Sequence, residues 1–216
     1  MPKKQFSKRP KPFKDQVPVV YIFCEGENTE IDYFNSFRIR TVKIRSIGIG
    51  KNPAKIIEKA SRIIKAERYE EGSDQKWCVF DKDDIPSNDF DSAVMSALNN
   101  GFNVAWSNQS FEYWFLLHFE DHQGGSLQRD QYDRKINRYI KDYRAKYNLD
   151  GRKKVSEEFA AELFSMDLNT GQPRVNLALG RAARIHQMKS DLLPSQTESC
   201  TTVYKLVEVL LGYADC

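Results

Sequence analysis

The sequence predicts an α/β protein: a mainly parallel four-stranded sheet flanked by helices, with a C-terminal helical extension. Three observations carry that reading. Apolar runs of strand length alternate with segments of helical period as far as "FNVAWSN" at residues 102–108. The first run, "VPVVYIFCEG", is apolar almost without a break, as in a strand covered on both faces of a parallel sheet. Beyond residue 119, apolar residues recur at helical spacing and supply no further strand. A chain of 216 residues suits one folding unit. Its expected divisions are a basic, disordered tail over 1–16, the α/β core over 17–119 and the helical extension over 120–216, packed on the core.

Each element has its own justification. After the first strand, "NTEIDYFNSF" places Ile31, Phe34 and Phe37 on one helical face. "TVKIRSIGI" alternates as a second strand, and the next helix has Pro53 near its start and Ile56, Ile57, Ala60, Ile63 and Ile64 at helical spacing. "KWCVFDKDD" is a third strand ending in acids; "DSAVMSALNNG" is a helix closed by Asn-Asn-Gly, and "FNVAWSN" is the fourth strand. Such alternation implies right-handed crossovers and a ligand edge at the carboxyl ends of the strands. The later segments "QYDRKINRYIKDYRAKY", "SEEFAAELF", "NLALGRAARIHQMK" and "TTVYKLVEVLL" are all expected to be helical, with loops near Gly124-Gly125, Asp150-Gly151 and Pro194.

Composition narrows the classes. No window approaches the roughly 18 apolar residues of a membrane span, and the basic start has no apolar region behind it of the secretory kind. The four cysteines, Cys24, Cys78, Cys200 and Cys216, lack paired metal-ligand spacing, so a reduced cytoplasm is the expected compartment. The net charge of +3 is small, yet Lys3, Lys4, Lys8, Arg9, Lys11 and Lys14 crowd the tail, as in arms that touch nucleic-acid phosphates or merely solubilise.

Acids carry the chemistry. Glu25, Glu27 and Glu30 follow the first strand, and carboxylates so close repel one another unless a positive species meets them. A divalent metal is one candidate. The other is the positive end of the following helix, with Asn28 or Thr29 as N-cap, and for Glu27 that is the preferred reading. "VFDKDD" adds Asp81, Asp83 and Asp84. Residues two apart on an extended chain point the same way, so Asp81 and Asp83 can present carboxylates to one volume, while Asp84 reads as the start of a turn. Mg²⁺ takes one or two carboxylates plus water and phosphate, and Glu25 would complete the set as ligand or as general acid or base.

These residues resemble those of the Toprim domain of topoisomerases, primases and overcoming-lysogenization-defect (OLD) nucleases. More closely, "CEGENTEIDYF", "GIGKNP", "VFDKDD", "AWSNQSFEYWFLLHFE" and "TTVYKLVEVLL", in that order, resemble the RloB family, a Toprim-like group of bacterial restriction and phage-defence loci. The resemblance implies cleavage of DNA or RNA dependent on Mg²⁺ (or Mn²⁺), with Glu25, Asp81 and Asp83 as catalytic metal ligands. It adds Glu30 as a further acid and Glu112 as a second-metal ligand, although Glu112 also reads as an ordinary first-turn acid. It implies an ATPase partner as well. No tyrosine nucleophile module, zinc finger or primase partner domain is evident, so topoisomerase and primase activities are not expected.

The remaining candidates are plainer. "GIGKNP" lacks the spacing of a phosphate-binding loop; Lys51 either faces a phosphate at a helix start or is a solvated lysine. Arg134, Lys135, Arg138 and Lys141, with Arg144 and Lys146, form a basic run that is either a solvated surface helix or a groove tracking phosphates. Trp106, Phe111, Trp114 and Phe115 read as core before base-stacking platforms, Asn108 turns the chain or orients a ligand, and His118, His122 and His186 have no zinc spacing. The expected function is a Mg²⁺-dependent nuclease in a bacterial defence system. The alternative is a non-catalytic subunit that binds nucleic acid or a partner protein. The sequence leaves the oligomeric state open.

Overall fold

Strand β1 (Val19–Cys24) is six apolar residues, all buried except Val19. It lies inside the sheet, parallel to β2 (Lys43–Gly48) on one side and β3 (Gln75–Asp81) on the other. Burial on both faces explains its unbroken apolar run, whereas β2, at the edge, is nowhere fully buried and carries Lys43 and Arg45. β4 (Asn103–Asn108) pairs parallel with β3. The computed structural model of the protein describes residues 17–50, 53–125 and 127–214. The basic tail, Lys51 and Cys216 lie outside the described residues.

The sheet has five strands in the order β2-β1-β3-β4-β5, which corrects the expected four. β5 is only Cys200–Thr201, antiparallel to β4. Two residues carry no readable period. The pairing rests on long-range bonds: the Thr202 N–H donates to the Trp106 carbonyl at 2.8 Å, and the Trp106 N–H donates to Thr202 Oγ1 at 2.9 Å.

Helices α1 (Thr29–Asn35), α2 (Pro53–Ala66) and α3 (Ser87–Asn99) make the crossovers. The step from β1 to β2 runs one way across the sheet and the next two steps run the other, so right-handed crossovers put α1 on the face opposite α2 and α3. α1 buries Tyr33 and Phe34 against Phe111, with ring centroids 5.7 and 5.9 Å away. α4 (Glu112–Leu117) is buried throughout its length. The extension then adds α5 (Arg129–Tyr139), α6 (Glu157–Phe164), α7 (Arg174–Met188) and α8 (Val203–Ala214).

The helix expected over 131–147 is cut short, because Ile140 turns extended (φ −97°, ψ 116°). Asn137 explains the reversal: its side-chain amide donates to the Tyr147 carbonyl and accepts from the Tyr147 N–H, both at 2.8 Å, which folds the chain back and buries Tyr147. No helix among the described residues is long and apolar enough to cross a membrane.

Strand order reverses between β1 and β3. The crevice outside the carboxyl ends of those two strands is where open α/β sheets bind ligands.

Candidate active site

Seven acidic residues line a cavity of about 570 Å³ at this crevice; besides Glu27 and Asp84 they are five carboxylates from four segments, Glu25 after β1, Glu30 in α1, Asp81 and Asp83 at the end of β3, and Glu112 opening α4. The strand ends are knit together here. The Glu25 N–H donates to the Val79 carbonyl at 3.0 Å, and the Asp81 N–H approaches Glu25 Oε2 at 3.5 Å. Glu27 is exposed, as its helix-end reading allows, but Glu30 is only 5% exposed and turned inward. Its carboxylate lies where a Cβ on Gly26 would stand, so a side chain at 26 would have to push the Glu30 carboxylate aside. Gly26→Ala is therefore expected to displace Glu30 and weaken Mg²⁺-induced thermal stabilisation while the chain stays folded, which thermal melts with and without metal would show.

Asp81 and Asp83 do share one volume, though not by strand alternation. The strand stops at Asp81, and Asp83 sits in a turn at φ +33°, a conformation Asp tolerates better than most residues. The Lys82 and Asp83 N–H groups donate to the Ser107 and Gln109 carbonyls at 2.8 and 2.9 Å, fixing the turn to the end of β4. Asp81 Oδ2 accepts from the Phe111 N–H at 3.0 Å. Glu112 is held from behind by Tyr147, whose hydroxyl donates to Oε1 at 3.1 Å and lies 3.0 Å from Thr29 Oγ1.

The residue missed by sequence reasoning is Arg129. From the first turn of α5 its guanidinium lies 2.8 Å from Asp83, 3.4 Å from Asp81 and 3.2 Å from Glu112. The basic run was read from Arg134 onward, and nothing in the spacing distinguishes Arg129 from its neighbours.

One guanidinium among five carboxylates leaves a surplus of negative charge. Burial raises Glu25 to about 7, with Glu30 and Asp83 adding to it against a hydrogen bond from the Asp81 amide. Burial and then Glu112 raise Glu30 to about 7, opposed by backbone amides and Arg129. Asp81 is pushed well up by burial, Glu30 and Asp83, and Asp83 is raised by burial against the pull of Arg129. Burial works against the Arg129 charge, but Glu112, Asp81, Asp83 and Glu30 outweigh it and hold the guanidinium protonated. Asp81 Oδ1 and Glu112 Oε2 are buried without a hydrogen bond; the contact of the latter with Arg129 Nε is an ion pair lacking hydrogen-bond alignment. Surplus charge, two unbonded carboxylate oxygens and an all-oxygen donor set suit a hard divalent cation. With Arg129 among the acids, no three His, Cys, Asp or Glu side chains among the described residues are grouped at metal-binding spacing.

The other candidates stand apart from this cavity. Arg134 pairs with Asp130 at 2.7 Å and Lys135 with Glu120 at 2.5 Å, Arg138 and Lys141 are exposed, and Lys141 lies past the end of α5. None of the four lines the cavity; Arg134, Lys135 and Arg138 stand on α5, and Lys141 falls beyond the break at Ile140. Asn108 donates to the carbonyls of Pro194 and Ser195 at 3.2 and 3.3 Å, tying β4 to the turn that precedes β5. Trp106, Phe111, Trp114 and Phe115 are core, 5% exposed or less. Buried His118 is held neutral, its pKa lowered to about 3 by burial.

A protein-family model described as RloB-like protein matches residues 20–210, a span that holds all five acids and Arg129. No curated protein matches the chain, and no solved structure does.

Proposed function

From the premise that the chain belongs to the RloB-like protein family, we propose that it is a metal-dependent nuclease of Toprim-like build that hydrolyses phosphodiester bonds of DNA or RNA. The observation that supports this best is the meeting of Glu25, Glu30, Asp81, Asp83 and Glu112 at the switch point of the sheet, with a buried Asp81 oxygen left unbonded. Glu25, Asp81 and Asp83 would hold Mg²⁺ or Mn²⁺, with Glu30 and Glu112 beside them. The ion supplies Lewis acidity and a more acidic water. The chain's own residues do the positioning: the Phe111 amide and Arg129 hold Asp81, Tyr147 holds Glu112, and Arg129 offsets the like charges. A cytoplasmic effector role in bacterial phage defence or restriction, alongside an ATPase partner, is the biological setting proposed with it.

A specific observation favours a second reading, a non-catalytic subunit that binds nucleic acid or a partner protein. Arg129 stands inside the acid cluster, where a cation would otherwise bind. Labelled DNA and RNA incubated with Mg²⁺ or with EDTA separate the two. The nuclease reading expects cleavage only with metal, together with thermal stabilisation of about 2.7 kcal/mol at 100 times the metal Kd. Intact nucleic acid and an unmoved melting temperature at millimolar Mg²⁺ and Mn²⁺ would leave the second reading standing.

A further inference from the structure

We propose that Lys153 is a phosphate anchor, its ammonium binding a backbone phosphate of the nucleic acid strand that enters the acidic cavity. The proposal rests on the nuclease reading and adds the group that lets a polyanion approach five carboxylates.

Among the described lining residues only Arg129 and Lys153 are cations. Arg129 is engaged by three acids. Lys153, half-buried, acts on Asp83 and Asp133 only through its charge at a distance; it makes no side-chain hydrogen bond or ion pair among the described residues, so its N–H donors are free for an incoming anion. Its neighbours do not share the position. Arg152 is exposed and pairs with Asp150 at 3.3 Å, and Lys154 is exposed; neither lines the cavity.

The backbone holds Lys153 in place. It stands at φ +52°, a left-handed conformation that Gly or Asn would occupy more readily. Its N–H donates to Asn148 Oδ1 and its carbonyl accepts from Thr29 Oγ1, both at 2.8 Å. On either side, the Arg152 carbonyl accepts from Asn28 Nδ2 at 3.4 Å and the Val155 N–H donates to Asp32 Oδ2 at 3.3 Å. The segment is thus fastened to the turn and helix that carry Glu25 and Glu30. A long cationic side chain, in a backbone that suits a small residue, is held in the lining of the acid site. Arg138 on α5 and Lys141 just past it, by contrast, lie outside the cavity.

Fluorescence anisotropy of labelled single-stranded DNA and RNA, in Ca²⁺ and over a range of NaCl concentrations, tests the assignment. Lys153→Gly and Lys153→Asn both accept the left-handed backbone, so the fold is kept while the ammonium is lost with its stem. Each is expected to weaken binding about tenfold and to lower the magnitude of the salt slope by about 0.7, the loss of one phosphate contact on a single strand. Lys153→Arg should keep most of both, and Arg138→Ala with Lys141→Ala should change neither. Wild-type binding that Lys153→Gly leaves unaltered in affinity and slope overturns the anchor and spares the nuclease reading. So does a variant whose only change is tighter Mg²⁺ binding, since Lys153 would then be a mere counter-ion to the acids. Wild-type protein that binds neither DNA nor RNA overturns both.

Discussion

Asp81→Asn is expected to abolish Mg²⁺-dependent cleavage while raising the melting temperature of the metal-free protein. Asp81 is 5% exposed, and its ionised form is disfavoured first by burial and then by Glu30 and Asp83. Asparagine keeps an oxygen for the Phe111 amide and gives an N–H₂ group to the surrounding carboxylates. Arg129 retains Asp83 and Glu112, so no buried charge is orphaned. Relief of this repulsion is the source of the gain. The gain should depend on pH. Glu25 and Glu30, raised from 4.5 to about 7, bind protons in the folded protein that the unfolded chain releases. Their contribution is fully present below pH 4.5 and is lost as pH rises through 7. His118 acts in the opposite sense, because only the unfolded chain takes up its proton between pH 6.5 and about 3. His186 is lowered by burial in the same sense, but two histidines are outnumbered by five raised acids, Glu25, Glu30, Asp81, Asp83 and Asp133, so metal-free wild type should melt higher at about pH 5.5 than at about pH 8, and the advantage of Asp81→Asn should be largest at the higher value. A variant that melts below wild type in EDTA at the higher pH, or that still cuts, contradicts the role given to Asp81.

Arg129→Gln should do the reverse to the metal-free protein. It removes the cation that neutralises Asp81, Asp83 and Glu112 and leaves their charges facing one another. Breaking such a buried network costs about 2–3 kcal/mol here, the low side of the usual range because the Arg129 side chain is 31% exposed. The loss should shrink toward about pH 5.5 as the acids protonate, and millimolar Mg²⁺ should repair it by supplying the missing positive charge. Denaturant melts of wild type and Arg129→Gln at both pH values, with EDTA or Mg²⁺, measure all three effects. An equal loss at both pH values that Mg²⁺ does not reverse would mean that Arg129 stabilises by packing alone.

Local patterns explain what was legible. Val20 to Cys24 and Cys78 to Phe80 announce strands buried on both faces, and the acids that follow them must lie at one sheet edge once the strands are parallel and adjacent. Glu25, Asp81 and Asp83 could therefore be named together from sequence. Glu30 was harder, because an acid in a first helical turn has a sufficient reason to be there without any site. Only the folded chain shows the Glu30 carboxylate turned inward over Gly26, in the space a Cβ there would take. The break after Tyr139 was hidden because Tyr143 and Tyr147 continue the apolar spacing of a helix, while Asn137 captures the Tyr147 backbone and Tyr143 is left 71% exposed.

The sequence by itself determined the alternation of strands and helices, the edge of the sheet at which chemistry belongs, the acids delivered there and the family. Periodicity and strand endings are local properties, written within a few residues of one another. Only the tertiary structure decided what meets those acids. Arg129 lies 46 residues from Asp83 along the chain and Lys153 lies 124 from Thr29, yet both line one cavity. Their places depend on how α5 packs against α4 and how the 148–155 segment is hydrogen-bonded to the start of α1. Contacts between distant residues have no period along the chain, so a charge that reads as one of many on a basic surface becomes, after folding, the counter-ion of the site.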